Sequence, residues 1–72
     1  MDDGVYKVIE LIGTSNESWE AAARSAVETA AQSLEDIRVA EVVKMDLRLE
    51  DNKVVQFRTK VIVSFKYHKP LV

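Results

Sequence analysis

Two long stretches of this chain alternate in polarity, and almost nothing separates them. In Asp36 to Glu50 (DIRVAEVVKMDLRLE) the odd positions carry Ile37, Val39, Val43, Met45, Leu47 and Leu49, and the even positions carry Arg38, Lys44, Asp46, Arg48 and Glu50. Lys53 to Tyr67 repeats the pattern, with Val55, Phe57, Thr59, Val61, Val63, Phe65 and Tyr67 set against Gln56, Arg58, Lys60, Ser64 and Lys66. A period of two is that of a half-buried strand, so these residues predict a long hairpin. Directly opposed residues share a face, and both apolar sets are odd-numbered, so paired numbers must sum to an even value. A two-residue Asp51-Asn52 loop would pair odd with even. A three-residue loop, Asp51-Asn52-Lys53, or a bulge with the same effect, keeps the faces matched. It pairs Leu47 with Phe57, Val43 with Val61 and Val39 with Phe65.

Ahead of the hairpin stand one strand and one helix. Val5 to Gly13 (VYKVIELIG) is rich in β-branched and aromatic residues and ends at glycine, as a strand does. It is apolar on both sides: Tyr6, Val8 and Ile12 on one, Val5, Ile9 and Leu11 on the other. In GTSNESWEAAARSAVETAAQSL, Gly13 to Leu34, apolar residues recur at 19, 22, 23, 26, 27, 30, 31 and 34, the spacing of one helix face. Most of them are alanine. Thr14 and Ser15 are the expected N-cap residues, with Glu17 and Glu20 near the positive end of the helix dipole.

The order is strand, helix, strand, strand, an α+β protomer in which a three-stranded antiparallel sheet partly wraps one helix. Strands of about 15 residues run roughly 50 Å, whereas a helix of about 18 residues covers roughly 27 Å. One alanine-faced helix leaves apolar sheet uncovered, and open apolar surface of that extent implies a partner. The other stabilising devices of a small chain are missing. With 72 residues the sequence makes one domain, 1–72, and it has no cysteine and one histidine, His68. Disulfides and thiolate zinc are excluded, which leaves association with further copies.

Ten Lys and Arg against 12 Asp and Glu do not call for a polyanionic partner. No apolar run reaches the length of a membrane span. The opening MDDGVYK lacks the basic-then-apolar layout of a secretory leader, so the expected location is the cytoplasm.

From about Tyr6 to Tyr67 the sequence resembles the dodecins. The resemblance rests on YKVIELIGTS, then SWEAAARSAVETA, VAEVV and VIVSFKY taken together. It implies a hollow homododecamer of β-α-β-β protomers that binds or stores a small ligand. Flavin-binding dodecins stack the isoalloxazine ring of FMN or riboflavin on a tryptophan just before the Ala-Glu-Val, and hydrogen-bond its edge with a glutamine of the third strand. Those positions are Val39 and Arg58 here. Valine offers no π face, and arginine donates but does not accept, although its guanidinium plane can stack. IRVAEVV is closer to the branch without that tryptophan, which implies calcium or another ligand. The alternative reading is a calcium-binding or purely structural shell without an organic cofactor.

Trp19 opens the helix stripe, which favours a core or interface anchor over a ligand-stacking residue. Glu41, expected on the apolar face of the second long strand, needs an inter-subunit partner or a ligand or cation contact, because a buried unpaired charge is costly. Asp46, Glu50 and Asp51 are hard oxygen donors suited to calcium, without the spacing of a calcium loop. Of these, Asp46 is the candidate metal residue. The basic even positions have no interleaved aromatics, so no stacking platform for nucleic acid exists. Anionic small molecules suit them better. His68 lacks the rigid partners that nucleophilic catalysis requires, and no enzyme is expected.

Overall fold

The computed structural model describes residues 4–66. The elements are β1 (Tyr6–Ser15), α1 (Trp19–Ala31), β2 (Ile37–Glu50) and β3 (Lys53–Lys66). They form a three-stranded sheet in the order β1-β3-β2, antiparallel at both ladders. The last strand therefore lies in the middle. Tyr67 and the tail residues His68, Lys69 and Pro70 lie outside the described residues.

α1 starts later than the sequence suggests. Thr14 and Ser15 continue β1, and the cap is Ser18, whose Oγ accepts from Ala21 N at 3.0 Å. Ser15 instead turns the connection, its Oγ accepting from Glu17 N at 2.9 Å. The helix is thus 13 residues long, about 20 Å at the α-helical rise. It buries Ala22, Ala26 and Ala30, and Ala26 clusters with Val61 and Val63 of β3, with Ile9 and Leu11 of β1 packed against them. Small side chains are required there. A Cβ on Gly13 of β1 would collide with the carbonyl oxygen of Ala22, so strand and helix backbones touch at that point. The alanine stripe is the helix side of this close approach.

The hairpin turn takes the bulged form of the parity rule. Asp51 and Asn52 have φ of 51° and 62°, the left-handed pair of a two-residue hairpin loop. Glu50 faces Lys53, Leu49 faces Val54, and Arg48 faces Gln56, so Val55 is the extra residue that restores parity. Leu47 then pairs with Phe57, as expected. Two further irregularities, at Val43 and Arg38, shift the register again. The expected pairs Val43–Val61 and Val39–Phe65 are accordingly replaced by Val42–Val61 and Ile37–Phe65, and Val39 faces Ser64.

These bulges redistribute β2 between the two faces of the sheet. The odd residues of β3 face α1, so Ile37, Ala40, Val42, Met45 and Leu47, paired opposite them, turn toward the helix side. Val39 and Glu41, odd-numbered as well, turn to the other side. Glu41 is exposed and not buried on the apolar face. The break is visible in retrospect: Val42 and Val43 are adjacent apolar residues, and no strict alternation places both on one side.

Candidate functional site

The side of the sheet away from α1 is an open face made of short cross-strand rows. Each even residue of β3 from Arg58 to Ser64 is opposed by one residue of β1 and one of β2. The rows run Val8–Ser64–Val39, Glu10–Ile62–Glu41, Ile12–Lys60–Lys44 and Thr14–Arg58–Asp46. Chemistry therefore changes along the strands from apolar to acidic to basic to an ion pair.

Val39, Glu41, Asp46 and Arg58 all lie on this face. Arg58 Nε donates to Asp46 Oδ1 at 2.8 Å, and Nη2 to Oδ2 at 3.4 Å, a two-point pairing of guanidinium and carboxylate. Lys60 Nζ lies 3.6 Å from Glu10 Oε2. Val39 is 57% exposed. It does not meet Arg58: Ser64, its opposite number, is six residues from Arg58 along β3, roughly 20 Å at the strand rise. Within one chain the two positions aligned with flavin contacts cannot touch one ring. Lys44 and Lys60, two of the basic even positions suited to anionic small molecules, belong to the same face, as does Glu10, which the sequence reading did not single out. The signal that could have found Glu10 is its even number on a strand whose even side, Tyr6, Val8 and Ile12, is exposed.

Trp19 is on the other side. Its Nε1 donates to Asp46 O at 3.0 Å, and its ring meets Phe57 edge-on, centroids 5.1 Å apart. Its carbonyl accepts from the buried Thr59 hydroxyl at 2.9 Å. The indole is a clamp between the helix start and the hairpin. Beyond it, Val42, Met45 and Leu49 are each more than half exposed, and an apolar groove of about 410 Å³ opens between β1 and α1, lined by Ile9, Leu11, Ala26, Ala30 and Leu34 among others.

Among the described residues no three His, Cys, Asp or Glu side chains gather closely enough to hold a metal ion. Among the described residues one chain therefore offers calcium, which takes six to eight oxygens, no ready cluster of carboxylates. The flavin contacts fit no better, with valine in place of a ring and the Arg58 fork already engaged. No helix among the described residues is long and apolar enough to cross a membrane.

Residues 5–68 match the sequence model of the Dodecin family. The chain belongs to the dodecin family. It is 50% identical over 62 residues to the calcium dodecin of Mycobacterium tuberculosis, an alignment covering 86% of this chain and 87% of that one. The crystal structure of that calcium-chelating dodecin, which has a novel calcium-binding site, superposes with a TM-score of 0.81 at 48% identity, over 93% of this chain and 99% of the other. The dodecin of Streptomyces coelicolor superposes with a TM-score of 0.90 at 28% identity, over 97% and 100%. The dodecin protomer, strand–helix–strand–strand with a three-stranded antiparallel sheet, is therefore the fold of this chain.

Proposed function

We propose that this dodecin is the protomer of a hollow homododecamer that binds and stores a small ligand in the cytoplasm, and that its ligand is a cation, calcium, ahead of a flavin. The observation that carries the choice of ion is the open face itself. The stacking position is Val39, the ring-edge position is an arginine held by Asp46, and the same chain is 50% identical to a calcium dodecin. The small core and the exposed apolar strip of β2 support assembly.

Oxygen donors for calcium then come from several copies meeting at a symmetry axis. Glu41 is the residue assigned to that contact, since it is exposed and has no ion pair among the described residues. Asp46 is the poorer donor because both its oxygens face Arg58. The protein performs no catalysis in this reading and engages neither nucleic acid nor membrane. A second reading, a shell with a structural role only, rests on the same loss of flavin contacts.

Static light scattering combined with titration calorimetry tests this. A mass near twelve protomers, saturable calcium binding and weaker binding on Glu41→Gln are expected. A stable mass of one or two subunits would end the shell reading. Saturable binding of riboflavin or FMN with fluorescence quenching, and none of calcium, would reverse the choice of ligand. Binding of neither would leave the structural shell.

A further inference from the structure

Lys44 and Lys60 stand directly opposite each other across the β2–β3 ladder. Like charges so placed destabilise a sheet pair, and each needs an anion nearby. Lys60 has the exposed Glu10 carboxylate at 3.6 Å. Lys44 has no ion pair among the described residues. The next row adds Arg58 and Asp46, and β1 adds Ile12 opposite Lys60. These five residues line one cleft of about 130 Å³. Three cations there face one carboxylate. Glu10 at the edge offsets one more charge, and the cleft stays net positive.

We infer that this cleft is an oxyanion site that takes a phosphate group. The guanidinium fork, the natural partner of a planar carboxylate, is already filled by Asp46. What is left over is a pair of ammonium groups, compact point charges without a fixed plane. A tetrahedral group with several acceptor oxygens bridges them, accepting from Lys44 Nζ on one side and Lys60 Nζ on the other. Ile12, 53% exposed at the rim, is an apolar wall for the carbon of a phosphomonoester. Asp46 is an internal competitor: its carboxylate occupies the Arg58 donors that a bound phosphate would otherwise share. The site is independent of the calcium reading, because it uses cations and an apolar wall and no free carboxylate.

The experiment is titration calorimetry on the assembled protein, in chelator so that no bound calcium carries the anion. The probes are inorganic phosphate and phenyl phosphate. Saturable phosphate binding that weakens with salt is expected. Lys44→Gln removes one charge-assisted hydrogen bond and should weaken it roughly tenfold. Asp46→Asn removes the competing charge and should tighten it severalfold. Tighter binding of the ester identifies an organic phosphate resting on Ile12, and equal binding identifies the free ion. Light scattering on each variant confirms that the assembly is unchanged. The proposal falls if neither the native protein nor Asp46→Asn binds phosphate saturably. It also falls if Lys44→Gln and Lys60→Gln, at unchanged mass, bind as the native protein does. Calcium titration of Lys44→Gln without chelator reads the other site separately, and is expected to be unaltered.

Discussion

Gly13 and Val39 show how differently two small residues are constrained. Gly13 is buried, and any Cβ there meets the Ala22 backbone, which cannot swing aside as a side chain can. Gly13→Ala must therefore push α1 off the sheet, at a cost of about 1–3 kcal/mol. Urea unfolding followed by circular dichroism, at matched protein concentration, should show the lowered midpoint. Val39 has open space around it in the protomer, so a larger side chain is accommodated without overpacking. Val39→Trp should restore a π face and tighten flavin binding about three- to tenfold, the worth of an aromatic contact beyond its area. Arg58→Gln should add to this, and less than independently where two subunits bring positions 39 and 58 to one ring. Flavin fluorescence quenching reads both. Unchanged quenching in Val39→Trp would show that position 39 faces no ring in the assembly.

At the level of elements, strand and helix identity was legible from periodicity alone, and register was not. Alternation gave both long strands to within a residue or so, and the alanine stripe gave the helix. The helix start was missed because Thr14, Ser15 and Ser18 are all competent caps. Only the β1–β3 ladder, which runs on to Ser15 opposite Phe57, decides among them. Parity correctly required an odd residue near the turn, but could not see that Val43 and Arg38 are extra as well. That is why Glu41 was expected on the buried side, and why the charged rows of the open face could not be assembled from sequence. The turn makes a sharp prediction of its own. Asn52 has φ of 62°, where a Cβ without a local hydrogen-bonding side chain costs about 1–2 kcal/mol. Asn52→Ala should destabilise by roughly that amount and Asn52→Gly should not. Thermal unfolding of the two variants side by side checks it, and equal losses would place the strain elsewhere.

The whole molecule is elongated, 56 by 20 by 16 Å, with its buried side chains confined to one short stretch under α1. The hairpin runs past the end of β1, and even beside Trp19 its apolar edge stays open, with Met45 57% and Leu49 56% exposed. A charge on that strip should leave the protomer's own contacts in place and disrupt association. Met45→Asp is expected to lower the mass measured by light scattering toward that of a single chain while strand content by circular dichroism persists. An unchanged mass would move the subunit interface to the groove between β1 and α1.

The central place of β3 also sets an order of events. β1 and β2 never bond to each other; each has β3 as its neighbour in the sheet. Nothing before Lys53 has a strand to pair with until β3 exists. The two-residue turn lets β2 and β3 close first, as the local step. β1 must then find the far edge of β3 across some forty to sixty intervening residues of chain, for Ser15 pairs with Phe57 and Tyr6 with Lys66, and it brings α1 with it. Distant pairings of this kind slow folding. The β1–α1 half is thus the last part to arrive and the first to leave. Amide hydrogens of the β2–β3 turn region should gain protection before those of β1 when refolding is followed by pulsed hydrogen exchange.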